Sequence, residues 1–309
     1  MLDASIFQLI KEQDFISRSA LELRPYAWGS LDVYEDAVQK RMSRYHSKYD
    51  LLHWLTFWTE QERLVSPFTG NKEYEELRSN SAFVHKNVLK MLFSSGFIKS
   101  EPHAGYDIWN AIDGHIVSQI CPDAKSVLDF GSGYGRLGAV FGDTFRNGVY
   151  VSVDCIEVSY ILQNLFLSLM APARFHEYCD YAFERRSFKV DCNNENAIYH
   201  LPSWRLDLVG ANQIDLITAV FVLPEINEFA LLDFVKQANR MVRDGGYIYL
   251  RDHLYHSGED NHSGAHRFNT EELLSASGFQ LIYQGKYKDN IDIYGIPRIY
   301  KKTGKSFCS

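Results

Sequence analysis

The residues with the clearest chemical purpose are closely spaced glycines that follow an apolar run. Val127-Leu128-Asp129-Phe130 leads into Gly131-Ser132-Gly133-Tyr134-Gly135, and a helix-like segment starts near Leu137. Glycine has no Cβ, so it permits a tight turn and lets a ligand approach the backbone. The N–H groups at the start of the following helix can face that ligand. The pattern predicts a nucleoside-cofactor pocket at the carboxyl end of a strand.

The positions of the glycines bear on which cofactor is bound. The dinucleotide pattern G-x-G-x-x-G matches residues 133–138 in letters, but that match begins two residues after the strand has ended at Gly131. Counted from Gly131, the third glycine position holds Arg136. An acid at Asp129 followed by alternate glycines instead resembles the class I S-adenosylmethionine-dependent methyltransferases. The resemblance implies S-adenosyl-L-methionine as cofactor, with an NAD-linked oxidoreductase as the alternative.

The methyltransferase resemblance also implies which residues contact the cofactor. They are Asp129, Gly131, Ser132, Gly133, Gly135, Glu157, Leu201 and Val220. For the ribose hydroxyls, Asp154 lies at the more usual distance from the glycines. Glu157-Val158-Ser159 better resembles the acid-x-Ser of the family, so we favour Glu157, although either acid could instead cap the following helix. For the adenine, residues 199–202 supply no acid, and we expect main-chain groups near Leu201 to serve.

Base candidates follow the predicted fifth strand. Methyl transfer to a hydroxyl needs placement and a group that accepts the hydroxyl proton. Asp252 and His253 should lie at the pocket rim, since carboxyl ends of parallel strands face the cofactor. We hypothesise that His253 is the base and Asp252 its orienting partner. A metal site at Asp252, His253, His256 and Glu259 is an alternative, but these residues lack a fixed ligand spacing, so we predict no metal.

The second half of the chain continues the methyltransferase order. Residues 213–225 resemble the fourth strand and its following segment, and residues 241–250 resemble the Gly-Gly turn and the fifth strand. Together with residues 201–207 and a helical N-terminal region, the glycine turn is similar to that of sugar O-methyltransferases of bacterial glycan and natural-product pathways. The expected activity is therefore O-methylation of a small molecule. A cofactor-binding protein without methyl transfer, or one that catalyses a cofactor-assisted rearrangement, is the other alternative.

Strand and helix patterns alternate from about residue 101 onwards, which predicts an α/β fold with a largely parallel sheet. The resemblance makes this a Rossmann-like, seven-stranded methyltransferase sheet. Predicted strands cover residues 126–130, 149–156, 214–221, 247–250, 279–283 and 296–300, and predicted helices cover 137–145, 159–170, 227–242 and 270–277.

The first hundred residues have helical periodicity instead. Apolar residues recur at helical spacing over residues 31–64 and 72–92. We predict a helical cap at residues 1–120 that contacts the acceptor or a second subunit. The methyltransferase domain then spans residues 121–302, and residues 303–309 form a tail.

Composition excludes several other classes of protein. With 32 Lys and Arg against 39 Asp and Glu in 309 residues, the net charge of −7 argues against a nucleic-acid-coating protein. No apolar run approaches the roughly 20 residues that span a bilayer, and the first residues lack the features of a secretory signal. Five scattered cysteines suggest neither a disulfide framework nor a zinc site, so we expect a cytoplasmic protein. Assembly into a homo-oligomer stays open.

Overall fold

The computed structural model describes the chain from Ser66 to Gly304 with several gaps. The described residues are 66–96, 107–144, 148–154, 156–183, 186–223, 226, 228–252, 269–285 and 295–304. The helical prediction for residues 31–64 and the base candidate His253 therefore lie outside the described residues.

One sheet of eight strands organises the described chain. Its order is β3-β4-β2-β1-β5-β6-β8-β7, and every neighbouring pair is parallel except β6/β8 and β8/β7. The strands are β1 (Ser126–Phe130), β2 (Val149–Asp154), β3 (Phe175–Glu177), β4 (Ile198–Pro202), β5 (Ile214–Val220), β6 (Val242–Asp252), β7 (Phe279–Gln284) and β8 (Ile296–Lys302). This arrangement confirms the Rossmann-like methyltransferase fold.

Helices connect the parallel strands and cover the sheet. They are α1 (Lys72–Ser94), α2 (Asp107–Ile120), α3 (Gly138–Thr144), α4 (Glu157–Met170), α5 (Tyr178–Phe183), α6 (Glu228–Met241) and α7 (Thr270–Ala276), with a 3-10 helix at Ser203–Leu208. All residues of β1 and β2 are buried, as expected for central parallel strands covered on both faces.

The sheet has one strand more than the seven that were predicted. The additional strand is β3, which contributes only Phe175, His176 and Glu177 at the edge beside β4. A run of three residues is too short to show a period in the sequence, and it forms a strand because β4 offers it a pairing edge.

The helices α1 and α2 pack against the same core as the sheet. Asn71 caps α1 by accepting a hydrogen bond from the Tyr74 N–H, and the buried residues of α1 follow helical spacing. On α2, Gly114 lies so close to Val140 of α3 that an added Cβ would come within 2.5 Å of its Cγ1. No helix in the described part of the chain has the length and apolar character to cross a membrane.

Candidate active site

The strand register brings the glycine turn next to the ends of β5 and β6. Phe130, the last residue of β1, pairs with Ala219 of β5, and Val220 of β5 pairs with Arg251 of β6. From β1 the chain continues to β2 on one side, whereas β5 lies on the other side. The carboxyl ends of β1 and β5 therefore flank a topological switch point, where open α/β sheets bind their ligands.

The turn after β1 requires glycine at alternate positions. Gly131, Gly133 and Gly135 have φ angles of +70°, +61° and +82°, which residues with a Cβ rarely adopt. An added Cβ on Gly131 would lie 2.3 Å from Val222 Cγ2, and one on Gly135 would lie 3.2 Å from Leu167 Cγ. At Gly133, among the described residues and apart from its two chain neighbours, no atom lies within 4 Å of that position. Gly133 is thus the glycine of this turn beside which there is room for a ligand.

Hydrogen bonds from β2 and α4 hold the turn in place. The N–H groups of Gly131 and Ser132 both donate to the Val153 carbonyl, at 2.8 and 3.2 Å. The buried Ser132 hydroxyl lies 2.6 Å from the hydroxyl of Ser152, which donates to Gln163 Oε1 at 2.8 Å. Gln163 Nε2 in turn donates to the Gly133 carbonyl at 2.7 Å. Ser132 is therefore bonded inwards, and its side chain orders the turn.

Asp129 lies in β1, directly before the turn, and its carboxylate contacts the neighbouring strands. Its carboxylate is 1% exposed and accepts hydrogen bonds from the hydroxyls of Tyr150 and Thr218, both at 2.7 Å. Burial raises the pKa of Asp129 from 3.8 to about 6, and the two hydroxyl donors offset part of that rise. The described contacts of Asp129 are with neighbouring strands, so they support a role in joining β1, β2 and β5.

We expect the pKa of Asp129 to show in the pH dependence of stability. A folded-state pKa above the unfolded value means that this group favours folding below about pH 4, and that this contribution is lost as pH rises towards 6. The free energy of unfolding of the wild type minus that of Asp129→Asn should therefore decrease by roughly 3 kcal/mol between pH 4 and 7. Urea unfolding at several pH values measures this difference, and a pH-independent difference would contradict the assignment.

Asp215 provides a control of opposite sign for that experiment. Burial acts to raise its pKa, but the hydrogen bond from Arg243 and those from Ser126 and Lys125 outweigh it, so the pKa is lowered. Its stabilisation is present above the unfolded pKa and is lost as pH falls through the folded pKa. The corresponding difference for Asp215→Asn should therefore grow with rising pH.

Asp154 and Glu157 are the two acids proposed to bind the ribose hydroxyls, and the structure describes the side chain of Asp154 only. Asp154, the last residue of β2, is buried, and its Oδ2 accepts from the Gly133 N–H and from Gln163 Nε2, both at 3.1 Å. Its Oδ1 accepts from the Ile156 N–H at 2.8 Å. Asp154 therefore fastens the glycine turn to β2. Glu157 is the first residue of α4, and its side chain lies outside the described residues.

Leu201 and Val220 lie on strands that flank the turn on opposite sides. Leu201 is fully buried in β4 and pairs in register with Val153 of β2. Val220 ends β5 and is half-buried. The next residue, Phe221, has a φ of +55°, an unfavourable conformation for a bulky side chain that points to a constrained position beside the switch point.

Asp252 ends β6 and forms an ion pair that the sequence did not indicate. Its carboxylate accepts from Arg298 Nη2 on β8, and Arg298 Nη1 also donates to Glu271 at 3.3 Å. Among the described residues there is no group of three or more side chains able to hold a metal ion. Three of the four residues of the metal alternative, His253, His256 and Glu259, lie outside the described residues.

A buried ion pair near the switch point was missed by the sequence analysis. Arg251 and Asp113 are 1% and 0% exposed, and Arg251 donates through Nε at 2.6 Å and Nη2 at 2.9 Å to the two Asp113 oxygens. The Tyr249 hydroxyl also donates to Asp113, at 2.5 Å. The only sequence signal was an arginine next to Asp252 at a strand end, because its partner is 138 positions away.

Comparison with known proteins identifies the family. The model of a methyltransferase domain family matches residues 113–284, which is more than half of the chain. The chain belongs to this methyltransferase family. Its cofactor is S-adenosyl-L-methionine, as the glycine turn implied, and the family match sets the NAD-linked alternative aside. A search of curated proteins finds no significant match.

Solved structures of other methyltransferases are similar at low identity. The 1,6-didemethyltoxoflavin-N1-methyltransferase of Burkholderia thailandensis was solved with bound 1,6-didemethyltoxoflavin and S-adenosylhomocysteine. It is 14% identical over 78% of this chain and 93% of its own, with a TM-score of 0.42. Phosphoethanolamine N-methyltransferase 1 of Haemonchus contortus, with S-adenosylhomocysteine, is 17% identical over 77% and 51%, with a TM-score of 0.40. Identities this low carry nothing about the acceptor.

Gly131 and Gly133 should differ in what their replacement by alanine disturbs, because the open space beside Gly133 suits the family's cofactor. Alanine at either Gly131 or Gly133 incurs roughly 1–2 kcal/mol for a positive φ. Only Gly131→Ala also clashes with Val222, so it should lose clearly more stability. Gly133→Ala should instead weaken S-adenosylhomocysteine binding by about tenfold or more, because its Cβ enters space that the described residues leave open. Thermal unfolding and calorimetry measure both, and wild-type affinity in Gly133→Ala would contradict this placement.

Proposed function

We propose that this methyltransferase transfers a methyl group to a hydroxyl of a small molecule, a sugar or natural product, with His253 as the general base and Asp252 as its orienting partner. The observation that carries the proposal is the position of Asp252. It ends β6, one residue beyond Arg251, which pairs with Val220 at the switch point. His253 follows Asp252 directly in the chain.

Asp252 is suited to an orienting role because its own position is constrained. Its side chain is 5% exposed, its carboxylate pairs with Arg298, and Gly295 packs against its backbone. An added Cβ at Gly295 would lie 2.9 Å from the Asp252 carbonyl group. A carboxylate held this firmly can restrict the orientation of an adjacent imidazole at little entropic cost.

The chain's own residues would bind the cofactor and accept the hydroxyl proton of the acceptor. The glycine turn would hold the cofactor, and Asp154 or Glu157 would accept from the ribose hydroxyls. When bound, S-adenosylmethionine supplies an electrophilic methyl group on a positively charged sulfur. As the acceptor oxygen forms its new bond to carbon, the hydroxyl proton passes to the imidazole of His253, and S-adenosylhomocysteine leaves.

We also propose roles for the regions around the site and a cellular setting for the protein. The region before residue 121 would cap the pocket and select the acceptor, and the sheet domain would end near residue 302. Cys121, Cys179 and Cys192, the cysteines of the described residues, are free thiols. Free thiols support a reducing, cytoplasmic setting for the protein.

An assay with labelled cofactor tests the proposal. Full-length protein is incubated with S-adenosylmethionine carrying an isotopic methyl group and a panel of sugars, phenols and matched amines. We expect labelled methyl ethers, identified by mass spectrometry together with equimolar S-adenosylhomocysteine. Label on amines alone would refute the hydroxyl acceptor. Cofactor binding without transfer to any compound would favour a binding protein, and a rearranged acceptor without methyl loss would favour a cofactor-assisted rearrangement.

A further inference from the structure

The side chain of Arg251 contacts two aromatic rings at the carboxyl ends of the strands. Its guanidinium carbon is 4.5 Å from the ring centroid of Trp109 and 5.0 Å from that of Phe221. The two rings also meet each other edge to face, with centroids 6.3 Å apart. Asp113, one helical turn after Trp109 on α2, holds the guanidinium through two hydrogen bonds. Contact of a guanidinium with aromatic rings combined with a two-pronged carboxylate contact is a geometry that arginine makes and lysine does not.

Arg251 contacts both the backbone and the side chain of Phe221. Its N–H donates to the Arg251 carbonyl at 2.9 Å, and its ring lies against the Arg251 guanidinium. Its φ of +55° is costly for a bulky residue and persists only where surrounding contacts fix it. Arg251 supplies both kinds of contact.

The conformation of Phe221 determines where Val222 lies. Val222 is packed so closely on Gly131 that both of its methyl groups would lie within 2.7 Å of an added Cβ there. Gly131 begins the cofactor turn, and Val222 follows the strand on the other side of the switch point. A chain of contacts thus joins α2, Arg251, Phe221, Val222 and the glycine turn.

We propose that Arg251 is a positioning residue for the cofactor site: held by Asp113 and Trp109, it keeps Phe221 in its left-handed conformation and thereby sets Val222 against the glycine turn. The proposal rests on the cofactor site at this turn and does not depend on which acceptor is methylated. It accounts for a fully buried ion pair at a place where an apolar contact would be cheaper to bury.

Arg251→Lys and Phe221→Gly form a double-mutant cycle that tests the proposal. Glycine adopts a positive φ without support, so in a Phe221→Gly background Arg251 has no strained residue to hold. We expect Arg251→Lys to weaken S-adenosylhomocysteine binding by about tenfold in the wild-type background, which is about 1.4 kcal/mol, and by less than about twofold in the Phe221→Gly background. Calorimetry is done at a temperature where thermal unfolding shows every variant to be folded.

Arg243→Lys is the matched control. Arg243 lies on the same strand β6, near its amino end, whereas Arg251 lies near its carboxyl end. Arg243 pairs with Asp215 of β5. It should lose some stability and keep wild-type affinity. Wild-type affinity in Arg251→Lys, or an equal loss of affinity in both backgrounds, would overturn the proposal.

If Arg251→Lys does not fold, Trp109→Leu takes its place in the double-mutant cycle with Phe221→Gly. It removes one of the two rings that contact Arg251 and leaves the Arg251–Asp113 pair in place. We expect it to weaken S-adenosylhomocysteine binding in the wild-type background and to have little effect beside Phe221→Gly. A loss of affinity that persists beside Phe221→Gly would indicate a direct contact of Trp109 with the cofactor and would overturn the proposal. A missing acceptor activity would refute the proposed function and leave these affinities unaffected.

Discussion

Replacing His253 with alanine should lower kcat by about 10²–10⁴-fold while the affinity for S-adenosylhomocysteine stays unchanged. A neutral hydroxyl is a poor nucleophile, and without a base its proton must pass to water as the new bond forms. Because an ordinary imidazole loses its proton near about pH 6.5, kcat/KM of the wild type should rise through that pH and that of the variant should not. The measurement uses the best hydroxyl acceptor from the panel, with rates followed by S-adenosylhomocysteine formation.

His256→Ala is the control for this variant, because it removes a second imidazole from the same segment of the sequence. It should keep kcat within a few-fold of the wild type. Added imidazole should restore part of the activity of His253→Ala, which a variant with a merely disturbed structure would not show. A kcat for His253→Ala equal to that of the wild type would rule out His253 as the base.

The fold was predictable because its signals are local. The strand at residues 126–130 was predicted with its observed bounds, and the strands β2 and β5 differ from their predictions by one or two residues at one end. A continuous apolar run bounded by glycine or polar residues indicates a buried parallel strand without knowledge of its partners. The short β3 is an exception, since it depends on the edge of β4 rather than on its own pattern.

The polar partners within the site could not be predicted, because they come from distant parts of the chain. In the sequence, Thr218, Asp129 and Ser152 are single polar residues inside apolar runs. The register places them side by side, with Asp129 paired to both of the others. The hydrogen bonds of Asp129 with Tyr150 and Thr218 could not be seen in the sequence. Likewise, the partner of Asp252 proved to be Arg298, 46 positions later. The contact of Asp129 with the cofactor stays a prediction.

Another buried ion pair lies away from the glycine turn, between Glu177 of β3 and His200 of β4. Both side chains are almost fully buried, and His200 Nδ1 lies 2.5 Å from Glu177 Oε2. Tyr160 and Asn164 of α4 donate to the same carboxylate, at 2.5 and 2.7 Å, and the Tyr160 ring stacks on His200 with centroids 3.8 Å apart. Burial acts to raise the pKa of Glu177, but His200 and the other donors outweigh it and lower the pKa. The histidine is therefore part of the core.

Replacing His200 with leucine should lower the free energy of unfolding by about 3–5 kcal/mol at pH 7, because Glu177 then stays buried without its counter-charge. Glu177→Gln should cost less, because it leaves no carboxylate buried without a counter-charge. The double variant Glu177→Leu/His200→Leu removes both charged groups of this pair. It should therefore be more stable than His200→Leu, which leaves the Glu177 carboxylate buried. Urea unfolding followed by circular dichroism measures all three.

The pH dependence separates loss of this ion pair from a simple packing defect. In the wild type the lowered pKa of Glu177 means that its stabilisation is present above the unfolded pKa and is lost as pH falls through the folded pKa. In His200→Leu the uncompensated burial favours the protonated acid, so the stability deficit of that variant should shrink as pH falls from 7 to 4. His176→Leu, on the neighbouring strand, removes a half-buried histidine that stacks on Tyr199, and it should cost about 1 kcal/mol or less at every pH. A deficit for His200→Leu that is equally small, or that does not change with pH, would show that Glu177 does not depend on His200 for its charge.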